Sequence, residues 1–454
     1  MVRKSIRAGR SRSQAKERTP PVDIPESGVP RIPATSSDWD DDIRGGSGAP
    51  NTSVWKILDI EPLLVIHLTA AMIGYVGTQN LLVLKACKVD LGLDDEVCLS
   101  RRPKTMEEEQ SIQKLMSSIV MWRTILSNFL PMILVAQIGA WSDKYGRKLP
   151  ILLVAGTFIL NYIGDVTPRD KLSARISING SSYFLGILMG LTVGGYLTEK
   201  SSPLMFILAG SLEILVFLGI LLFLKSRSRS MTEASTGRKI VDLFSPQYLM
   251  TSFYSVFRDR PKNRQKILWV LLATHVITLL PLAGDSSVDF LQARFRYDWV
   301  AAAFSSFTLY KTVLGFIGKF LSYVVLTEFL QLSEPVVGII SCMCLILSSV
   351  IQAFSRSSTM AYIAPIPTLL SGSLMSALRT LIFKTVDETE TGKINSFIAS
   401  LESMTPIIAA PIYATVYYKS FETFTGCYNL LSATLMTLPI GTYIWILNKQ
   451  GYGF

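Results

Sequence analysis

The chain has 454 residues and a formal charge of +10, from 44 basic and 34 acidic side chains. Charged residues are only 17%, against about 25% in soluble domains. Mean hydropathy is +0.37, and several apolar runs are long enough to cross a ~30 Å hydrocarbon core. A soluble enzyme, a disordered scaffold and a secreted disulfide domain are excluded. The short alternating segments of a membrane barrel are absent too. The expected class is all-α, a polytopic helical membrane protein.

The excess basic residues sit in a few polar segments beside apolar runs. That is the habit of cytoplasmic loops rather than of a nucleic-acid surface, so no nucleic-acid partner is expected. No His/Cys cluster has metal-ligand spacing, and no phosphate loop, nucleophile elbow or zinc-helix motif occurs. No metal, cofactor or covalent catalysis is expected.

Residues 1–18 hold seven basic side chains and one acid, Glu17, and no apolar core comes after them as in a signal peptide. Residues 19–53 are rich in Pro, Ser, Gly and Asp, so 1–56 is expected to be a disordered cytoplasmic tail. Apolar spans are predicted at 62–84, 113–138, 176–197 and 203–224, with a short run at 150–164. After a basic loop at 225–266 come six more, at 267–283, 300–326, 335–353, 359–383, 394–418 and 425–447. The domain plan is an incomplete N-terminal half (57–224), the loop, a C-terminal six-helix half (267–447) and a short tail (448–454).

Charge fixes the expected topology. The N-tail is basic, as are 139–149, 165–175 and the central loop. The loop alone carries ten basic side chains against three acids. All four segments therefore read as cytoplasmic, and 85–112 reads as external. An even number of crossings must separate two cytoplasmic segments, yet 150–164 is one run rising only about 22 Å. It is re-entrant, or it inverts every downstream span, or residues are missing.

The stretch Gly139 to Lys148 reads GAWSDKYGRK. Gly139 and Gly146 permit a tight turn, Asp143 can pair with a base across a bundle, and Arg147 and Lys148 anchor the cytoplasmic side. The motif resembles the G-x-x-x-D-[RK]-x-G-R-[RK] signature of the major facilitator superfamily, which comes after the second span there as here. A closer resemblance is to the proton-coupled folate transporter family, solute carrier family 46. It rests on Trp141 within the motif, the Cys87/Cys98 pair, Tyr162-Ile-Gly-Asp165-Val-Thr167, Arg379 with Lys384 and Glu390-Thr-Gly392-Lys393, and Ser400-Leu-Glu402-Ser-Met-Thr-Pro406.

The resemblance implies two six-helix halves, with about eleven apolar segments here instead of twelve. The Asp-Val-Thr phrase should close a fourth helix, yet it comes only 17 residues after Lys148. Two helices and a turn need roughly 50. The chain thus reads as lacking the end of the third helix and the start of the fourth. Gly180 stands where folate-type relatives carry a Glu tied to proton coupling, which puts both folate and that coupling site in question.

Ionisable residues inside spans face the bundle interior and are functional candidates by default. Arg379 is the candidate substrate-gating position that the resemblance implies, since a planar guanidinium suits a carboxylate. Glu402 reads either as a proton carrier or as a structural partner of something such as Arg379. Arg123 and Lys311 lie mid-span as candidate substrate contacts, with Lys319 and Glu213 behind them. Asp165 and His275 join Glu402 as proton-coupling candidates, and His67 is a second in-span His. Cys87 and Cys98 face the oxidising side and form a candidate disulfide.

The functional expectation is a secondary transporter of a small organic, anionic, folate-like solute, with protons as the candidate driving force and the lipid bilayer as its setting. The rival is a non-transporting membrane receptor, a partner-binding paralogue or an inactive truncated isoform. The plasma membrane is favoured over the lysosomal membrane.

Overall fold

The computed structural model describes residues 60–94, 105–145, 169–198, 200–223, 264–386 and 391–450, with Cys98 and Phe257. For 134–145, 169–177 and 391–393, and for 106, 130, 396 and 450, the backbone alone is described. All of these residues belong to one compact unit, Val54–Phe454.

The helices are α1 (Glu61–Lys85), α2 (Met106–Tyr145), α3 (Arg169–Thr198), α4 (Ser202–Phe223), α5 (Arg264–Tyr297) and α6 (Ala301–Ser322). They continue with α7 (Glu334–Phe354), the short α8 (Ser358–Ile363), α9 (Leu374–Lys384), α10 (Thr391–Ser420) and α11 (Cys427–Gln450). Wider turns extend α1 to Asp90 and α6 to Phe329. Among the described residues nine helical segments are long and apolar enough to cross a membrane. Start signals are local: α1 and α7 each open with an acid and then Pro, Glu61-Pro62 and Glu334-Pro335. A carboxylate suits the positive helix start, and Pro there loses no needed hydrogen bond.

Chain direction is set by which residues meet. α3 runs parallel to α1, because Gly186, Gly190 and Gly194 approach Val65, Thr69 and Ile73 in turn. α4 returns, with Gly77 near Met205 and Gly219 near Leu63. α6 runs against α3: Ser305 donates to the Leu191 carbonyl at 2.7 Å and Phe316 stacks on Phe184. α10 is parallel to α5, and α11 is antiparallel to it. α2 sets its first turns against the last turns of α10, with Gln113 at Tyr417 and Lys114 at Glu422. We call the face where α1 begins the near face, and the opposite one the far face. α2 ends and α3 begins on the near face; α4 ends and α5 begins there as well. The charge reading requires the same sidedness of the intervening stretches. The short run at 150–164 lies outside the described residues, as do the N-tail and most of the central loop.

Two spans differ from the sequence reading. Hydropathy ended the fifth helix at Ala283, but α5 continues to Tyr297 and turns only at Asp298, which has φ +53°. The run at 359–383 is not one helix: Pro365 and Pro367 break it into α8, a tight turn at Ile366–Leu370, and α9. Proline cannot donate the backbone hydrogen bond a continuing helix needs.

The far face is closed by contacts between the halves. Arg294 of α5 pairs with Glu109 of α2 at 3.7 Å, both nearly buried. Gln113 donates to the Leu291 carbonyl at 3.2 Å and accepts from Tyr417 at 3.1 Å. One apolar cluster there joins Cys87, Cys98, Met116, Val288, Phe304, Tyr413 and Tyr428. A second fills the near-face part of the C-terminal half, around Leu271, Leu378, Ile398 and Tyr443.

Candidate functional site

Three of the residues singled out from sequence meet in the C-terminal half. α5 supplies His275, α9 supplies Arg379 and α10 supplies Glu402. The His275 Nε2 lies 3.0 Å from Glu402 Oε1, and an Arg379 guanidinium nitrogen donates to that same oxygen. His275 is fully buried, whereas Arg379 and Glu402 stay 39% and 33% exposed and so remain reachable. His275 Nδ1 has no partner among the described residues. The ring therefore fits best with its hydrogen on Nε2, donating to the carboxylate. One carboxylate thus serves two donors, and a second anion near Arg379 would compete for it.

Local structure explains why these three converge. The proline break frees α9 to lie at its own angle, placing Arg379 at the middle of an eleven-residue helix. Pro406 within α10 lies one turn beyond Glu402. Thr274 beside His275 ties α5 to α11 through Thr442 at 3.1 Å.

A second group lies toward the far face. Lys311 of α6 bonds Asp289 of α5 at 2.9 Å. Tyr428 of α11 donates toward Asp289 at 3.0 Å and toward Gln292 at 2.5 Å. Ser432 lies 2.6 Å from Asp285, and Tyr413 lies 2.7 Å from Ser432. Tyr75 of α1 is within electrostatic range of Asp289, Lys311 and Arg123. Sequence reasoning found Lys311 and Arg123 but missed both aspartates, since it ended the helix before them. Their i, i+4 spacing, with Gln292 next on the same face, was the available signal.

The remaining candidates are scattered through the bundle. Glu213 of α4 pairs with His67 of α1 at 3.0 Å inside the N-terminal half. Cys87 and Cys98 are bonded. Lys319 is exposed near the end of α6. At Gly180 no described residue lies within 4 Å of an added Cβ. Gly139 and Asp143 fall within α2, where only the backbone is described. Gly146, Arg147, Lys148 and Asp165 lie outside the described residues.

An all-helical bundle with apolar outer surfaces and ionisable groups turned inward is the construction of a multi-pass membrane transporter. A family model described as the Major Facilitator Superfamily matches residues 156–410, and the chain belongs to that superfamily. It is 20% identical to the probable peptidoglycan muropeptide transporter of Drosophila melanogaster, over 84% of each chain. It is 24% identical to the lysosomal proton-coupled steroid conjugate and bile acid symporter of Mus musculus, over 66% of this chain and 73% of the relative. Both relatives are of solute carrier family 46, the family that the sequence motifs resemble. In fold it is similar to the human organic anion transporter TETRAN, with a TM-score of 0.53 at 14% identity over 85% of this chain.

Proposed function

We propose that this membrane transporter carries a small organic anion by alternating access, with protons as the driving ion. The observation that carries the reading is Glu402 shared between Arg379 and His275. A carboxylate, sulfate or phosphate on the solute would compete with Glu402 for Arg379. Protonating Glu402 weakens its hold on the guanidinium and favours that exchange, so solute and proton bind together. Arg123 of α2 and Lys311 of α6 offer further cations, one from each half.

The relatives' names support a conjugated steroid, a bile acid or a muropeptide ahead of a folate. Gly180, where folate-type relatives carry Glu, points the same way. The mouse relative's name places it at the lysosome, and we place this chain there in preference to the plasma membrane. Its near face is then cytoplasmic and its far face luminal. A receptor or partner-binding module would have no use for three ionisable groups turned inward.

The test is uptake by the purified full chain in liposomes, with taurocholate, a sulfated steroid, a muropeptide and a folate as probes. Saturable uptake of one of these, raised by an inward proton gradient and lost in Arg379→Ala, is expected. Uptake of none, or uptake indifferent to Arg379, contradicts the reading.

A further inference from the structure

The far-face group carries more than a structural ion pair. Its charges do not balance: Asp285 and Asp289 supply two carboxylates, and Lys311 supplies the one ammonium in direct contact with the pair among the described residues. Lys311 bonds Asp289; among the described residues no cation lies within ion-pair distance of Asp285. Charge left unpaired inside a membrane bundle is costly.

Its two hydroxyls are each shared between acceptors. The Tyr428 hydroxyl faces two acceptors, Asp289 Oδ1 and Gln292 Oε1, with one hydrogen to give. The Ser432 hydroxyl likewise faces Asp285 Oδ1 and the Tyr428 carbonyl, while Tyr413 donates to Ser432. Each hydroxyl donates once. Gln292 is buried beside the group, and its amide nitrogen has no acceptor among the described residues. Buried amides are normally hydrogen-bonded, through water where protein offers nothing. One added proton on a carboxyl removes the charge imbalance.

We propose that Asp285 is a proton-loading site, separate from the His275–Glu402–Arg379 group and nearer the far face. The step is a simple addition: a proton from the far-side solution forms an O–H bond on Asp285, and its loss restores the carboxylate. The groups around it are Asp289 on its own helix, Lys311 from α6, Tyr413 from α10, and Tyr428 and Ser432 from α11. Tyr75 and Arg123 stand further out, from α1 and α2. Lys311 then has a second role, since it keeps Asp289 ionised and directs the proton to Asp285. The direction of proton flow rests on the transporter reading; the protonation itself does not.

Two measurements separate these. Infrared titration of the purified full chain, from mildly acidic to neutral pH, should show a protonated-carboxyl band that Asp285→Asn lacks and Asp289→Asn retains. In liposomes, a proton gradient of one pH unit can drive at most about tenfold accumulation by one-to-one symport, since a unit of pH is a factor of ten. The one coupled proton enters at Asp285 before it reaches Glu402, so with taurocholate as probe Asp285→Asn should fall to about onefold under that gradient while keeping exchange at equal pH. A band and an accumulation unchanged in Asp285→Asn overturn the proposal. If the wild type moves no taurocholate, the transport reading loses support and the infrared arm alone decides: loss of the band upholds the site, retention overturns it. If Asp285→Asn does not survive purification, Asp285→Glu decides. A carboxyl band displaced in pH supports the site, and a band unchanged in pH rejects it.

Discussion

The α1–α3 seam gives a prediction that the geometry makes quantitative. Gly186, Gly190 and Gly194 fall at four-residue spacing on one face of α3, and α1 lies directly against them. In lipid such small-residue stripes replace hydrophobic driving force with close packing. A Cβ on Gly190 would meet Met72 Cβ at 2.5 Å, the Thr69 carbonyl at 2.6 Å and Thr69 Cα at 3.1 Å. Two of these are backbone atoms, so α1 itself must retreat. Overpacking of this kind costs about 1–3 kcal/mol. The shift also strains the bond from Thr69 to the Gly186 carbonyl, 3.3 Å long, and an interhelical bond in a membrane is worth roughly 0.6 kcal/mol. Against this, Gly→Ala within a helix gains about 1 kcal/mol. The balance for Gly190→Ala is a loss of about 0.6–2.6 kcal/mol. Gly180→Ala, where no described residue lies within 4 Å, should gain up to about 1 kcal/mol. Thermal unfolding of the purified full chain in detergent, monitored by retained monodisperse protein, compares the two. Gly190→Ala at or above wild-type stability would refute the seam.

Three further outcomes are expected. Cys87→Ser should lower stability by about 2–4 kcal/mol by removing a cross-link, read as lower yield and earlier melting; melting that matches the wild type would contradict this. Glu109→Gln removes one of two carboxylates near the buried Arg294, Asp298 being the other, so the loss should stay below the roughly 3–5 kcal/mol of a fully uncompensated buried charge. Equal melting of variant and parent would show that the far-face pair adds nothing. His67→Ala and Glu213→Ala each break a half-exposed pair, so each should cost under about 1 kcal/mol. Their double variant should cost less than the sum of the two, and strict additivity would show that the pair is not coupled.

The spans were legible in sequence because hydropathy reports the lipid directly. The described helices put the ends that flank 146–168 and 224–263 on one face, the arrangement that a cytoplasmic reading of those basic stretches needs. What hydropathy could not see was helix that outlasts its apolar run. α5 carries Asp285, Asp289, Gln292 and Arg294 past Ala283, and these polar residues read as a loop although nothing in them breaks a helix. They stay helical because each finds a partner on α2, α6 or α11. The break at Pro365 and Pro367 was visible as residues but submerged in an apolar run. At the site, Arg379, Glu402 and His275 stood out because each is ionisable inside a span. That Arg379 and His275 share a single carboxylate oxygen of Glu402 depends on the crossing of α5, α9 and α10, which no local pattern encodes.

The central claim is that Arg379 holds the solute's anionic group in competition with Glu402. It is tested most directly by proton-driven uptake in Arg379→Lys beside Arg379→Ala, in liposomes with equal protein content and with whichever probe the wild type transports. A lysine keeps the charge but lacks the planar fork that grips an oxyanion through two parallel bonds. Arg379→Lys is predicted to lose most of its affinity, with KM raised roughly tenfold or more for about 1.4 kcal/mol lost, and Arg379→Ala to be worse. Wild-type KM and maximal rate in both variants would contradict the claim.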